Sequence, residues 1–346
     1  DRRVKIPGNM IDAIVEACAV TPGSLTAEEE IAAALKKPFT VEEMRAMIAR
    51  KANTAPGLTG LTYQMLGLLP DRATKDMFRL MERMWDAKYV PDFWKLKGLI
   101  GLPKVEVVKG VSDLRPIGLI ETTRKLWTSM VTKRILGVIR RRLQPNHCGG
   151  LANKGTDTAL LQLLNLLEDA QELNGAADHV ATDIPMDFMS WDTAKAFDSV
   201  GSHVQYAAWR RMGVPQEVAI WLMALDLGGV FVPLTSFARR KLDRVKMRGV
   251  WDTGHHTEIR TLGFSPARGF TQGDVKSPLA WICFFDVLVS ALNTCQPDRY
   301  PKTRTEGSVS HPVRPMVFID DLTSATVFRA HTQEIADLVA AFNAIF

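Results

Sequence analysis

A chain of 346 residues with 46% apolar and 23% charged side chains has the composition of a folded protein, which excludes disordered and collagen-like architectures. Its length accommodates two or three subdomains and a large core. The net charge of +5 is unevenly spread: Trp94 to Leu143 holds 12 Lys/Arg against three acids, an excess that points to a polyanionic partner, nucleic acid before membrane.

In chain order, residues 1–38 read as a helical lead-in, with Thr26 to Glu29 as a candidate capping box. A helix over Thr40–Arg50 is expected next, capped by Thr40, with Glu42 and Glu43 at its positive end. Lys51 to Gly60 is a loop, and Leu61 to Ala87 carries a 3.6-residue period that predicts one or two helices. Leu96 to Lys104 and Ile117 to Leu119 read as short extended pieces joined by a basic turn. Helices follow over Thr122–Leu143 and Asp157–Leu173, then a strand over Val180–Trp191 and a helix over Val204–Leu225, broken at Gly213 and Pro215. Val230–Thr235 and Thr257–Phe264 look like two strands, 277–294 like a buried helix, Pro315–Ile319 and Leu322–Phe328 like a hairpin, and Gln333–Phe346 like a last helix. Helices alternate with strands but hairpins also occur, so the fold class expected is α+β.

The apolar stretch Pro278–Leu292 contains Asp286 and falls short of the roughly 20 residues of a membrane span, so no membrane partner is expected. No secretory signal opens the chain, and a first residue that is not Met suggests a piece of something longer. Cys18, Cys148, Cys283 and Cys295 form no C-x-x-C and no zinc-finger spacing, which suits reduced thiols in an intracellular protein.

Three features carry chemistry. Asp192 stands where an apolar strand breaks, in FMSWDTAKAFDSV. Asp320 and Asp321 follow another apolar strand, in FIDD. Beside each other, these strands would bring Asp192 and Asp320 together, with Asp321 close by; the bland reading of Asp320-Asp321 is a turn cap. Clustered carboxylates need a compensating cation, and hard oxygen donors suit Mg²⁺. Two such ions about 4 Å apart stabilise in-line phosphoryl transfer. The third feature is the loop GFTQGDVKSPL, where Gly269 and Gly273 allow close backbone approach and Gln272 offers an amide; alone it reads as a glycine-rich helix entry.

Taken together these segments resemble the reverse transcriptases of non-LTR retrotransposons and, more distantly, of group II introns. DTAKAFDSV resembles the first palm motif, GFTQGDVKSPL the second and FIDD the third, usually Y-x-D-D. Upstream, APGLTG (55–60), LPK (102–104), LRPIGLIETTRKLW (114–127) and CGGLANKGTDTALLQL (148–163) resemble the fingers motifs and the loop before the palm, in family order. The resemblance runs from about Thr40 to Phe328. It departs from the pattern in having Phe318 for the usual Tyr, a longer connection near 236–256, and an end soon after the third motif.

The resemblance implies a right-hand polymerase: a helical extension over 1–38, fingers over 39–182, and over 183–346 a palm built as a ferredoxin-like antiparallel sheet backed by helices, without the thumb. It implies RNA-directed DNA polymerase activity with two Mg²⁺ ions, Mn²⁺ as a substitute, held by Asp192, the Thr193 carbonyl, Asp320 and Asp321. Lys104 and Arg115 would hold the nucleotide triphosphate, with Lys109 as the competitor for the Lys104 role. Phe197 would exclude the ribose 2′-OH, with core packing as its alternative, and Gln272 and Gly273 would lie beneath the templating pair. Lys125, Arg134 and Arg140, Arg141 and Arg142 would bind template phosphates. The implied partners are an RNA template, a DNA or RNA primer and dNTPs, within a larger polyprotein or ribonucleoprotein, inside the cell and in the nucleus for a retrotransposon enzyme. The alternatives are a domesticated, non-catalytic RNA-binding scaffold, and terminal transfer or RNA-templated RNA synthesis at the same site.

Overall fold

The computed structural model describes residues 24–51, 54–151, 153–175, 187–193, 196–235, 259–266, 268–295, 302–303, 311–312, 315–318, 321–326 and 329–345. They fall into two compact units, each assembled from separate stretches of chain: Leu25–Ile139 with Phe197–Ser277, and Arg140–Ala196 with Pro278–Phe346. Both units mix helices with small sheets, as the α+β expectation requires.

The first unit opens with α1 (Ser24–Lys36) and α2 (Val41–Arg50). The predicted cap of α2 is present: the Thr40 hydroxyl accepts from Glu43 N and the Glu43 carboxylate accepts from Thr40 N, each at 3.0 Å. The box expected at Thr26 is not a helix start, because α1 begins two residues earlier, at Ser24. The 61–87 stretch is two helices, α3 (Tyr63–Gly67) and α4 (Asp71–Asp86), separated at Pro70. On α4, Thr74, Phe78, Met81 and Trp85 are buried at helical spacing, and Trp85 meets Phe39 and Trp221 edge-on at 6.1 and 5.0 Å.

After the short α5 (Asp92–Lys95), β1 (Leu96–Pro103) and β2 (Leu114–Leu119) form an antiparallel pair. Then comes α6 (Thr122–Arg142), which contributes to both units. The helices α9 (Ser202–Arg211) and α10 (Gln216–Ala224) break at 212–215 as predicted, and β4 (Val230–Pro233) joins β1 in parallel, Lys97 opposite Phe231. One face of this β2-β1-β4 sheet packs Leu96, Val230 and Val232 with Leu58 and Ile259. The strand expected over 257–264 is not formed by the described part of that segment; only Phe264 pairs, as an isolated bridge to Phe231. Ile259 and Leu262 both pack on the core, a three-residue spacing that belongs to a turn rather than to strand alternation.

The second unit contains α7 (Thr156–Gly175), β3 (Asp187–Asp192), α11 (Ser277–Cys295), two short paired strands β5 (Lys302–Thr303) and β6 (His311–Pro312), β7 (Met316–Phe318), β8 (Asp321–Thr326) and α12 (Arg329–Ile345); α8 (Ala196–Ser199) has its first residue in this unit and the rest in the first. The order β3-β8-β7 is antiparallel throughout. Trp281 stacks on Phe285 at 5.4 Å and Phe284 meets Phe342 of α12 at 5.1 Å, so the apolarity of α11 is that of a core helix. Its one internal acid, Asp286, is fully buried against His147 Nε2 at 3.0 Å and accepts from Gln144 N at 2.8 Å. The adjacent Cys148 N donates to Val317 O and Val317 N to Asn146 O, so the 146–148 segment is paired with β7. Cys148 and Cys283 are buried free thiols.

Candidate nucleotidyl-transfer site

In the second unit β8 lies between β3 and β7, and its register decides which carboxylates meet. Asp192, the last residue of β3, is the direct partner of Asp321, the first of β8, and Phe318 is the partner of Asp321 on the other side. Directly opposed residues of an antiparallel pair have Cβ atoms about 4.5–5.5 Å apart, and like charges there repel. Both acids are exposed at the sheet end, and Thr193 follows immediately. Asp321 also lines a cavity of about 490 Å³ between the β7–β8 pair and α7, with Asp157 and Leu160 on its wall. Asp320 lies outside the described residues. Among the described residues no cluster of three or more His, Cys, Asp or Glu gathers. Two facing carboxylates next to a backbone carbonyl are nonetheless a hard-oxygen donor set suited to Mg²⁺.

The first unit carries the basic groups. Leu102 pairs with Arg115, and beyond the ladder Lys104 N donates to Asp113 O at 2.8 Å, so by strand alternation Lys104 and Arg115 share a face. Both are exposed, and Lys104 Nζ reaches Ser112 O at 3.2 Å. Lys109 is exposed on the same hairpin, where its backbone N–H donates to Asp113. Ile117 and Leu119 continue the Arg115 face into a cavity of about 550 Å³, lined also by Arg50, Lys51, Lys125 and Gly273. Among the described residues no acid lines this cavity. Lys51 Nζ donates to Ser129 Oγ and Lys125 Nζ to Ala55 O, each at 2.6 Å, so both ammonium groups have neutral acceptors. Burial lowers the pKa of each, and the Lys51 charge lowers Lys125 further.

The opposite face of β1 and β2 carries Lys97, Leu99 and Pro116 into a second cavity of about 380 Å³, lined also by Asp226, Phe231 and Gln272. Gln272 and Gly273 thus line different cavities. Phe197 is half-buried, edge-on to Phe270 at 6.4 Å, and its carbonyl accepts from Phe270 N at 2.5 Å.

Behind the Gln272-Gly273 turn is an ion cluster that the sequence did not announce. Asp226 accepts from Lys97 and Lys276 at 2.5 Å and from Arg124 at 2.9 Å, while Arg124 also pairs with Asp274. Lys97, Arg124, Asp274 and Lys276 are almost wholly buried. Burial alone would raise the Asp226 carboxyl; Lys276, Lys97 and Arg124 hold it well below the usual carboxylate range. Burial pushes Lys97 down from its ordinary 10.5 to about 8, against the pull of Asp226.

That shift fixes a sign. The folded value of Lys97 lies below the unfolded one, so between about pH 8 and 10 the unfolded chain binds more protons and stability rises with pH. Lys51 and Lys125 are shifted the same way. Burial raises Tyr63, which reverses the trend once unfolded tyrosines ionise, near pH 10. Denaturant titrations at pH 7.5, 8.5 and 9.5 are expected to show a gain for Lys97 of at most roughly 3 kcal/mol, flattened in Lys97→Met. A steady fall over that range is the contrary result.

Part of the basic excess of the sequence is therefore internal. Arg140 and Arg141 are exposed and Arg142 half-buried, but Lys97, Arg124 and Lys125 are buried. Arg134 faces inward: it donates to the carbonyls of Ala34, Lys37 and Pro38, pairs with Glu43 at 3.0 Å and lies over the Phe39 ring at 3.7 Å. Arg134→Ala is expected to cost about 2 kcal/mol, read as a lowered melting temperature, with RNA affinity and its salt slope unchanged. A reduced salt slope at an unchanged melting temperature would return Arg134 to the phosphate-binding set.

Three curated proteins are similar to this chain. The chain is 26% identical over 249 residues, 71% of its length, to the RNA-directed DNA polymerase from mobile element jockey of Drosophila melanogaster. It is 24% identical over 167 residues, 48% of its length, to the Transposon TX1 uncharacterized 149 kDa protein of Xenopus laevis. A third match, 25% over 114 residues and 32% of the chain, is named as a probable RNA-directed DNA polymerase from transposon BS of Drosophila melanogaster. The chain resembles the reverse transcriptases of non-LTR retrotransposons. It spans 24%, 12% and 13% of the jockey, TX1 and BS proteins respectively. No protein-family model matches it.

Sequence reasoning missed Lys51 as a neighbour of Lys125, and missed Lys97, Asp226, Asp274 and Lys276. The signal for Lys97 was present: a lysine inside the apolar strand LKGLIGL needs a buried acid.

Proposed function

We propose that this chain carries the nucleotidyl-transfer centre of an RNA-directed DNA polymerase of the non-LTR retrotransposon type. The observation that carries the reading is the cross-strand partnership of Asp192 and Asp321 at the exposed end of the β3-β8-β7 sheet. Asp192, the Thr193 carbonyl, Asp320 and Asp321 would hold two Mg²⁺ ions, or Mn²⁺ in their place. The ions supply Lewis-acid stabilisation of the attacking and leaving oxygens. The primer 3′-hydroxyl would lose its proton to solvent as its oxygen bonds to the α-phosphorus of the nucleotide, and the bond to the bridging oxygen would break with its electron pair leaving on pyrophosphate.

The other residues bind and orient. Lys104 and Arg115 would neutralise the triphosphate, which their shared exposed face supports. Phe197 would exclude the 2′-OH, with Gln272 and Gly273 beneath the templating pair. The cavity holding Lys51 and Lys125 suits template phosphates, and Arg140, Arg141 and Arg142 would bind phosphates as well. An RNA template, a DNA or RNA primer and dNTPs are the substrates proposed, within a larger intracellular polyprotein.

The test is primer extension on an RNA template by the full-length protein, with dNTPs and Mg²⁺ or a chelator. Template-dependent, chelator-sensitive DNA synthesis supports the reading. RNA binding without any synthesis would favour a scaffold and overturn it.

A further inference from the structure

We propose that Asp226 is a positioning residue, and that the buried ion cluster gathered on it holds the Gln272-Gly273 turn against β2. The inference rests on the nucleotidyl-transfer reading and adds to it residues distant from the carboxylates in sequence. Asp226 Oδ1 accepts from Lys97 Nζ of β1 at 2.5 Å, from Arg124 Nη2 of α6 at 2.9 Å and from Thr271 Oγ1 at 3.1 Å. Its Oδ2 accepts from Lys276 Nζ at 2.5 Å. Lys97 also donates to Thr271 Oγ1 at 2.7 Å, and Arg124 to Asp274. Thr271, Asp274 and Lys276 flank the turn on both sides, so the ions clamp its two shoulders.

The apex is set by backbone. Gly118 N of β2 donates to Gln272 O at 2.8 Å, and Gly273, at φ +97°, lies so near that a Cβ there would sit 2.7 Å from Gly118 O. The turn can keep this contact only while its shoulders stay fixed.

Stability alone does not account for the cluster. Three cations and two carboxylates removed from water are costly, and apolar residues of similar volume often replace buried ion pairs without loss. What charges add is direction: Arg124 is also held by the carbonyls of Trp94 and Leu225, at 2.9 and 2.5 Å, which fixes how its guanidinium meets Asp226 and Asp274. Gln272 lines the smaller cavity beside Asp226 and Gly273 lines the basic one, so displacement of the turn alters both. Loosening it should weaken nucleotide binding more than the chemical step.

The experiment uses the full-length protein, with steady-state primer extension, amide hydrogen exchange and thermal melts for Asp226→Asn, Asp226→Glu and Thr271→Val. Asp226→Asn is expected to raise KM for dNTP about tenfold with kcat within about threefold, and to speed exchange over residues 269–276. Asp226→Glu, which keeps the charge, should recover part of the KM. Thr271→Val, which leaves every ion in place, should raise KM about threefold and speed the same exchange without lowering the melting temperature. Unchanged KM and unchanged exchange in folded Asp226→Asn overturn the proposal. Where Asp226→Asn does not fold, unchanged KM and exchange in Thr271→Val overturn it equally. A wild-type protein without polymerase activity overturns the functional reading, and the exchange arm then still decides whether the cluster holds the turn.

Discussion

Asp192→Ala and Asp321→Ala, each made in the full-length protein, are expected to reduce RNA-templated DNA synthesis by about a thousandfold or more, equivalent to roughly 4 kcal/mol of transition-state stabilisation. The two residues are register partners at the end of adjacent strands, so removing either one halves the oxygen donors offered from this pair. Both are exposed, so neither truncation opens a core cavity, and melting temperatures should stay within a few degrees. RNA affinity should change less than threefold, because the lysines and arginines proposed for the phosphates belong to other elements. Asp192→Asn gives a sharper version, since it keeps shape and removes charge. Loss of RNA binding as deep as the loss of synthesis would show that these acids shape the protein and do not serve the reaction.

The second large effect concerns Phe197. Its ring meets the edge of Phe270, and its carbonyl accepts the Phe270 N–H. A half-buried ring edge-on to an aromatic neighbour is compatible with a steric gate or with packing, and the two make opposite forecasts. As a gate, Phe197→Val raises ribonucleotide over deoxyribonucleotide incorporation by a factor of ten or more, for about 1.4 kcal/mol of discrimination lost. As packing, it lowers the melting temperature and depresses both activities together. The ratio of the two kcat/KM values, measured beside a melt, separates them. We expect the ratio to move, because rejecting a 2′-OH needs only bulk at one point. An unchanged ratio with a lowered melting temperature would leave Phe197 as packing.

Much of the architecture was legible because it is local. The Thr40 cap, the helix break at Gly213 and Pro215 and the extended pieces that pair as β1 and β2 each follow from neighbours in sequence. The acids at strand ends were legible because a carboxylate closing an apolar run is conspicuous. Their register was not spelled out: the sequence reading brought Asp192 to Asp320 with Asp321 close by; Asp321 is the register partner of Asp192, and Asp320 lies outside the described residues. Register depends on which strand is central, and β8 takes that place only once β3 and β7 have both docked. The pairing within the buried ion cluster was illegible for the same reason. Lys97, Arg124, Asp226 and Lys276 span almost the whole first unit, and nothing at any one position says which acid meets which base. Arg134 shows the converse: a helical arginine in a basic run reads as phosphate-binding until the carbonyls at the end of α1 are seen around it.

The parallel pairing of β1 with β4 has a consequence for biosynthesis. Lys97 waits for Phe231, 134 positions later, before its strand gains its second neighbour. At a translation rate of about 5–20 residues per second, that is a delay of roughly 7–27 s. During it the apolar LKGLIGL edge has only β2 beside it, and Lys97 and Arg124 have not met Asp226. Pairing between segments so far apart in sequence is slow because loop closure is paid before the contacts repay it. The nascent chain thus emerges with a sticky strand edge and uncompensated internal charge, a state that chaperones bind and that aggregates when they are scarce. Recombinant yield should accordingly respond to slower translation and lower temperature more than to substitutions on the finished surface.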